Sequence, residues 1–290
     1  MQRLLLAIVL LLIPAVPVAA QEKKFQLEKD LVYGKGGQTD LKLDLAAPTE
    51  GGGPFPAVVC VHGGGWRGGS RTDLTRTIEM LAGRGFVAVA VTYRLVPTAG
   101  FPAQIEDCKA AVRWLRANAK KYKVDPDRIG AVGMSAGGHL VALLGTTVKE
   151  DGLEGSGGNA EFSSGVQAVI SFFGPSDLSE RAWNPQLEKS LIEPLVGGSF
   201  ADKPELYKKA SPVTYIRKGA PPFLLFHGTA DKVVPVSQSR ILAEKLKAAG
   251  VSDKLVEIQG ADHGWAGPKL LESIEQSVKF LEEHLKKGAQ

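Results

Sequence analysis

The feature that most constrains the fold is a repeated alternation between short apolar runs and segments with helical periodicity. Six mostly apolar runs have the length of strands: Phe55–Val61, Phe86–Thr92, Ile129–Gly133, Val166–Phe173, Phe223–Phe226 and Lys254–Ile258. Apolar residues recur at helical spacing in five other segments: Leu74–Arg84, Gln104–Lys121, Gly137–Thr147, Ser237–Ala249 and Lys269–Lys286. Apolar strands that alternate with helices predict a mostly parallel sheet with helices on both faces.

Two more strands are expected before this alternating region. They are Phe25–Tyr33 and Thr39–Leu45, and the second alternates leucines with polar residues, as a half-exposed strand does. The prediction is therefore a single α/β domain with three layers, α/β/α, around a mostly parallel eight-stranded sheet that starts with an antiparallel pair. A composition of 44% hydrophobic and 23% charged residues fits a globular protein and excludes intrinsic disorder.

The first twenty residues are typical of a targeting segment rather than of the folded domain. Arg3 precedes the apolar run Leu4–Ile13, and the small residues Val18–Ala20 precede Gln21. A membrane anchor is the alternative, but the run is shorter than the ~20 residues that a span needs. We predict that residues 1–20 are a signal peptide, that the mature protein is secreted or periplasmic, and that it has no membrane span.

Charge and cysteine content narrow the classes of partner and cofactor. The formal net charge of +4 is small and the basic residues are scattered, so no nucleic-acid-binding surface is expected. Cys60 and Cys108 lie in apolar patterns and are predicted to be small buried side chains rather than a disulfide. No histidine pair has metal-ligand spacing, and we predict neither a metal site nor a cofactor. The sequence carries no mark of an oligomeric state.

Two stretches interrupt the alternation of strands and helices. Lys149–Gly165 is rich in Gly, Glu and Ser and is predicted to be an exposed loop. Leu178–Gly219 contains four prolines with short helical pieces between them. Because it is too long for a plain connection, we expect a lid or a binding insertion there.

A glycine-rich pentapeptide stands where a strand is expected to pass into a helix. Gly133-Met134-Ser135-Ala136-Gly137 has the pattern G-x-S-x-G, in which small residues allow a sharp turn that exposes the serine hydroxyl. A plain glycine-rich turn is the alternative, but the position between strand and helix favours a nucleophile. Ser135 is therefore the candidate nucleophile.

The segment His62–Trp66, sequence HGGGW, follows another predicted strand. Its glycines leave backbone N–H groups free to bind a developing oxyanion, together with the N–H of Ala136. Gly63, Gly65 and Gly68 also match a dinucleotide fingerprint, but the next strand leads to Tyr93 and Arg94 instead of an acidic residue. His62 is interpreted as a hydrogen-bonding brace for this loop.

An acid and a base are expected later in the chain, after consecutive strands. Asp231 ends the turn after the strand Phe223–Phe226, and His263 lies in the turn after the next strand. His263 is the candidate base, and Asp231 is the candidate that holds its tautomer. Asp177 also follows a strand and is an alternative acid, although a local capping role fits it better. Asp262 is expected to face away from the site.

These motifs together resemble a known family. HGGGW, GMSAGGHL, HGTAD and DHGW, from His62, Gly133, His227 and Asp262 onward, resemble the α/β-hydrolase fold, and within it the single-domain carboxylesterases related to hormone-sensitive lipase. The chain is similar in particular to secreted esterases that act on acetyl or feruloyl groups of xylan. The resemblance covers nearly all of residues 21–290. It departs from lipase-type members in having no large N-terminal cap, which leaves the lid role to residues 178–219.

The resemblance implies a carboxylic ester hydrolase that works through an acyl-enzyme. In that scheme Ser135 attacks the ester, and the amides of Gly64, Gly65 and Ala136 hold the oxyanion. The expected substrate is a small-molecule or polysaccharide ester. The side chains expected to bind a sugar ring or an aromatic acyl group, with plain wall packing as the alternative, are Trp66 and Trp265. A peptidase or amidase of prolyl-peptidase type and a non-catalytic binding protein on the same scaffold remain as alternatives.

Overall fold

An eight-stranded sheet forms the centre of the computed structural model, which describes residues 24–181 and 183–286. The strands are β1 (Phe25–Gly36), β2 (Thr39–Pro48), β3 (Phe55–Val61), β4 (Val87–Val91), β5 (Val124–Met134), β6 (Ala168–Phe172), β7 (Phe223–Gly228) and β8 (Asp253–Ile258). Their spatial order is β1-β2-β4-β3-β5-β6-β7-β8. β2 pairs antiparallel with β1 and β4, and the other neighbours are parallel. The predicted sheet is confirmed; the predicted signal peptide, residues 1–20, lies outside the described residues.

Helices cover both faces of this sheet. They are α1 (Thr75–Gly83), α2 (Ala103–Ala117), α3 (Ala119–Tyr122), α4 (Ala136–Thr146), α5 (Pro185–Leu187), α6 (Glu193–Val196), α7 (Pro204–Lys209), α8 (Ser237–Ala248) and α9 (Pro268–Leu285). Because successive strand residues point to opposite faces, Val59 of β3 packs in the core beneath α2, α4 and α8, and Val58 packs in the core beneath α1 and α9. The three-layer α/β/α prediction is confirmed.

Two element boundaries differ from the predicted ones for identifiable reasons. β5 begins at Val124, which pairs with Phe55, five residues before the predicted start. The polar residues that follow Val124 hid this part of the strand from a search for apolar runs. The predicted helix 104–121 is broken at Asn118, whose side-chain amide donates to the carbonyl of Trp114 at 2.9 Å. The side chain thus competes with the helical ladder, as asparagine often does.

The predicted exposed loop over Lys149–Gly165 is exposed along most of its length but turns inward at Leu153 and Glu154. Glu154 accepts hydrogen bonds from Lys109 at 2.6 Å and from Arg113 at 2.9 Å, and both cations are buried on α2. Buried cations require an anionic partner, so the loop folds inward to bring Glu154 to them. Burial of Leu153 at 0% exposure follows from the same fold.

The insertion Leu178–Gly219 packs over the carboxyl edge of the sheet. Two carbonyl groups of the insertion accept hydrogen bonds from the rest of the domain. The carbonyl of Leu195 accepts from the N–H of Phe101 at 2.8 Å, and that of Ser190 accepts from the Arg67 guanidinium at 3.0 Å. Cys60 and Cys108 are free and buried, as predicted. Over residues 24–181 and 183–286, we find no helix with the length and apolar character of a membrane span.

Candidate active site

The turn between β5 and α4 holds Ser135 in a backbone conformation that few residues adopt. Its φ of 54° and ψ of −121° place the residue outside the ordinary regions. The turn closes only with glycine at two positions: a Cβ on Gly133 would stand 2.3 Å from the carbonyl oxygen of Gly137, and one on Gly137 would stand 2.1 Å from that of Val61. The spacing G-x-S-x-G is thus required sterically, and it presents the Ser135 hydroxyl at the sheet edge.

The structure brings the three sequence-predicted side chains together at this edge. Nε2 of His263 lies 2.9 Å from Oγ of Ser135, and Nδ1 of His263 lies 2.7 Å from Oδ2 of Asp231. An ionised Asp231 can only accept, so it selects the tautomer with the proton on Nδ1. Nε2 is then free to accept the Ser135 hydroxyl proton, which is the arrangement of a general base.

Asp231 is held as a carboxylate by a set of donors. Burial alone would raise its pKa, but hydrogen bonds from His227 and His263 and from the N–H of Val234 lower it well below the usual range. Oδ1 accepts from the N–H groups of Val233 and Val234 at 2.8 and 2.9 Å. The side chain is fully buried, so these donors replace water. The negative charge that orients His263 is therefore secured by the protein itself.

His227 has a supporting position that sequence reasoning missed. Its Nε2 lies 2.9 Å from the carbonyl of Val234 and 3.3 Å from Oδ2 of Asp231, and its Nδ1 lies 2.7 Å from Oγ of Ser239. With Ser239 donating to Nδ1, the Nε2 proton lies between the carbonyl of Val234, the nearer acceptor, and the carboxylate of Asp231. The sequence did contain a signal for this contact, because His227 and Asp231 are four residues apart across the end of a strand.

The loop after β3, residues 62–66, carries two backbone N–H groups that have no acceptor among the residues that the structure describes. Within the described parts of the chain, no hydrogen bond uses the N–H of Gly64 or Gly65, whereas the carbonyl of Gly64 accepts from Arg67 and Gly68 at 3.1 and 3.0 Å. Ala136 is the first residue of α4, so its N–H has no acceptor within the helix. These three groups are the ones predicted to bind an oxyanion.

His62 fixes this loop from below. Its ring stacks on Tyr93 with centroids 4.3 Å apart, and its Nδ1 donates to the carbonyl of Gly63 at 2.7 Å. Burial lowers the pKa of His62, so the ring is neutral and is suited to a packing role. The Tyr93 hydroxyl donates to the carbonyl of His62 at 3.1 Å. The geometry agrees with the interpretation of His62 as a brace.

A second histidine links the same loop to the insertion. The indole N–H of Trp66 donates to Nδ1 of His139 at 3.1 Å, and Nε2 of His139 donates to the carbonyl of Ala210 at 2.7 Å. Both bonds require the neutral tautomer with its proton on Nε2. Burial lowers the pKa of His139 to about 4, which keeps that tautomer at neutral pH. His139 thus fixes the position of the His62–Trp66 loop relative to the insertion.

This linkage predicts a specific acid sensitivity of the fold. The folded pKa of His139, about 4, lies below the reference value of 6.5, so only the unfolded chain takes up this proton between those values. Stability is therefore lost as pH falls through that window, by about 2 kcal/mol between roughly pH 6.5 and 5. His139→Gln should remove this part of the decrease in the free energy of unfolding with falling pH. Urea unfolding of the wild type and the variant at both pH values measures the difference. His284→Gln changes an exposed histidine and is the matched control; an equal slope in wild type and His139→Gln would contradict the assignment.

The other acidic candidates have partners elsewhere. Oδ1 of Asp177 accepts from the N–H and the hydroxyl of Ser179 at 3.0 and 2.5 Å, which is a local cap. Asp262 accepts from the N–H groups of Lys232 and His263 at 3.0 and 2.8 Å and is exposed. Neither carboxylate makes a hydrogen bond with the His263 ring, so Asp231 is the acid that the geometry supports.

A small pocket lies against Ser135, next to the His62–Trp66 loop. Its walls come from that loop, from the insertion and from the turn after β7, and they include Gly65, Trp66, Trp183, Leu191 and Val234. Leu191 seals one side, since a Cβ on Gly65 would stand 2.8 Å from it. Trp66 is only 2% exposed, so the side chain forms a wall and offers no open face to a sugar ring. Of the two roles considered for Trp66, packing in the wall of the pocket fits the structure better than stacking on a bound sugar ring.

Trp265 follows His263 by two residues and does not line the small pocket. Its indole N–H donates to Oγ of Ser273 on α9 at 3.0 Å, and its ring meets Phe173 edge-on with centroids 5.5 Å apart. The side chain is partly exposed and lines a separate, apolar cavity rather than the small pocket. Within the described residues, no cluster of three or more His, Cys, Asp and Glu side chains is arranged to hold a metal ion.

Comparisons with known proteins found a matching family model and a similar curated esterase. Residues 43–246 match the model of the family described as BD-FAE. Esterase LipC of Mycobacterium tuberculosis (strain ATCC 25618 / H37Rv) is 36% identical over 263 residues, which are 87% of this chain and 63% of LipC. The chain therefore spans less than two thirds of the length of this curated relative.

Two solved structures are similar over almost their whole length. A truncated form of a carbohydrate esterase from gut microbiota superposes with a TM-score of 0.81 at 28% identity, covering 92% of this chain and 99% of that one. An esterase from the Planctomycetes species Thermogutta terrifontis gives 0.76 at 33% identity, with coverages of 92% and 95%. The latter has also been solved with butyrate and with propionate bound.

Proposed function

This chain belongs to the BD-FAE family and has the α/β-hydrolase fold of carboxylesterases, and from that premise we propose that it hydrolyses carboxylic esters with Ser135, His263 and Asp231 as its catalytic triad. The observation that carries the proposal is the continuous hydrogen-bonded chain from Oγ of Ser135 through both ring nitrogens of His263 to the buried carboxylate of Asp231. A binding protein on this scaffold has no need of that arrangement.

The reaction follows from the positions of these groups. Nε2 of His263 takes the hydroxyl proton as Oγ of Ser135 attacks the ester carbonyl, and the carbonyl oxygen becomes an oxyanion facing the amides of Gly64, Gly65 and Ala136. His263 then gives its proton to the departing alkoxide, which leaves as the alcohol and a covalent acyl-serine. Water, deprotonated by His263, attacks the acyl-serine and releases the acid and the free hydroxyl.

We assign the small pocket to the acyl group of the ester. The pocket adjoins Ser135 and Ala136 and is limited by Trp183, Leu187 and Leu191 of the insertion, which gives residues 178–219 the role of a lid. An acetyl group fits such a space better than a feruloyl group, whose ring needs more room. The similar Thermogutta esterase, solved with propionate and with butyrate, supports a preference for short acyl groups.

Leu191→Ala should enlarge the small pocket so that it binds longer acyl groups. Removing three carbon atoms from the wall makes room for two or three methylenes, each worth ~0.8 kcal/mol when buried. We therefore expect the ratio of kcat/KM for 4-nitrophenyl octanoate to that for the acetate to rise at least about 10-fold. Leu206→Ala, the same change in the same insertion but away from the pocket, should leave the ratio unaltered. An equal rise in both variants would mean that the insertion had simply loosened.

The proposed natural substrates are acetyl esters of carbohydrate in a secreted or periplasmic setting. The similar gut-microbiota carbohydrate esterase and the expected signal peptide both favour this class. The test compares 4-nitrophenyl esters from acetate to octanoate with acetylated xylan and methyl ferulate. We expect fast turnover of the acetate and release of acetic acid from the xylan. No turnover of any ester by the folded protein would refute the proposed activity, and release of ferulate without acetate would refute the acyl preference.

A further inference from the structure

A large apolar cavity lies between α1, α9 and the sheet, on the face of the sheet away from α2 and α4. This α1–α9 cavity has a volume of about 440 Å³, and Arg76 is the charged member of its lining among the described residues. The cavity is open to solvent on one side, and its volume lies in the range of small-molecule sites, which begin at roughly 300 Å³. The cavity therefore has the size and lining of a site for an apolar ligand.

The cavity adjoins the reacting groups. Met134, directly before Ser135, and Gly264, directly after His263, both line it. So does Phe173, whose ring centroid is 4.6 Å from that of His263. Phe173 thus contacts the catalytic imidazole and also lines the cavity.

The wall next to His263 is held in a costly conformation. Phe173 has a φ of 40°, which is unusual for a bulky residue, and its N–H donates to the carbonyl of Phe226 at 2.7 Å. Met134, next to the nucleophile, is 37% exposed. The backbone strain and the exposure both occur where the cavity meets the site.

The direction of the reaction decides which part of an ester reaches the cavity. The carbonyl oxygen must face the Gly64, Gly65 and Ala136 amides, and the leaving oxygen must lie within reach of Nε2 of His263, which supplies its proton. The alcohol portion is therefore on the His263 side, where the cavity is. The acyl portion is left for the small pocket that adjoins Ser135 and Ala136.

We propose that the α1–α9 cavity binds an alkyl or aryl group in the alcohol portion of the ester, so that the enzyme also hydrolyses short-acyl esters of apolar alcohols. The catalytic part of this inference rests on the proposed esterase function; the binding part does not. A sugar would lose its hydrogen bonds to water in this lining without replacing them, whereas an alkyl chain gains from burial. In the reaction the ester C–O bond breaks, the alcohol leaves with the proton of His263, and water restores Ser135.

A series of acetates tests the catalytic part. With the acyl group fixed, kcat/KM of the wild type should rise roughly two- to fourfold per methylene from methyl to hexyl acetate. Ile274→Trp fills the cavity from α9 and should lower the hexyl-to-methyl ratio at least about 10-fold. Leu271→Trp places the same ring on an exposed position of the same helix, 64% exposed, and should leave the ratio as it is. Thr77→Phe, from the α1 wall, is the second variant in case Ile274→Trp does not fold.

Titration of hexan-1-ol and 2-phenylethanol into the Ser135→Ala protein tests the binding part without catalysis. Calorimetry should show both alcohols binding to Ser135→Ala and neither binding when Ile274→Trp is added. Ester turnover with no alcohol binding and no dependence on alcohol length would overturn the inference while leaving the esterase function intact. Alcohol binding without turnover of any ester would uphold the cavity as a ligand site and overturn the function.

Discussion

Ser135→Ala is expected to lower kcat for 4-nitrophenyl acetate by roughly 10⁵-fold, because no other group replaces the attacking oxygen and triad members act as a unit. The fold should be nearly unaffected. The hydroxyl makes its hydrogen bond to a partly exposed His263, and such a bond contributes only about 1 kcal/mol. Initial rates and thermal unfolding of the same preparations measure both effects.

Ser190→Ala is the matched control for this change. Ser190 is an exposed serine of the insertion, and its side chain lies outside the proposed catalytic chain, so its loss should alter neither kcat nor the melting temperature. If Ser135→Ala kept more than about a hundredth of the wild-type rate, the nucleophile would have to be sought elsewhere.

Asp231→Asn is expected to cost roughly 10⁴-fold in kcat, through the tautomer of His263. An amide at this position can donate toward Nδ1, which favours the ring with its proton on Nε2. That ring cannot accept the Ser135 hydroxyl proton. The carboxylate is fully buried, and both of its oxygens accept hydrogen bonds, so water cannot substitute for the lost charge.

Asp177→Asn separates this effect from a general loss of charge at the sheet edge. The Asp177 carboxylate accepts from the N–H and the hydroxyl of Ser179, interactions that asparagine also makes, so kcat should change by less than about twofold. A larger cost for Asp177→Asn than for Asp231→Asn would reassign the acid. Pre-steady-state bursts with 4-nitrophenyl acetate show whether acylation is the step that slows.

The positions of Ser135, Asp231 and His263 were predictable because local patterns define them. Each follows an apolar run that becomes a parallel strand, and parallel strands bring their carboxyl ends to one edge of the sheet. The order of residues then fixes which turns meet there. Gly133 and Gly137 mark the tight turn in the sequence itself, although the carbonyl that a Cβ on Gly137 would meet belongs to Val61 of β3.

The supporting contacts were not predictable in this way, because they join residues far apart in the chain. His139 meets Trp66 and Ala210, which are about seventy residues away in either direction. The inward fold of Glu154 depends on two cations of α2 becoming buried. The α1–α9 cavity is lined by two helices that are nearly two hundred residues apart in the chain. The apolar periodicity of each helix does not show that a space remains between them. Trp66 and Trp265 looked alike in sequence, yet one is buried and the other lines that cavity.

Stoichiometric labelling with an organophosphate tests the central claim most directly, since these reagents phosphorylate an activated serine and then stay bound. Titration of the wild type with paraoxon, followed by intact-mass and peptide mass spectrometry, should show one phosphoryl group on Ser135 and loss of esterase activity in proportion. Ser135→Ala should remain unlabelled. Labelling at another residue, or full activity after Ser135 is completely labelled, would contradict a catalytic role for Ser135, His263 and Asp231.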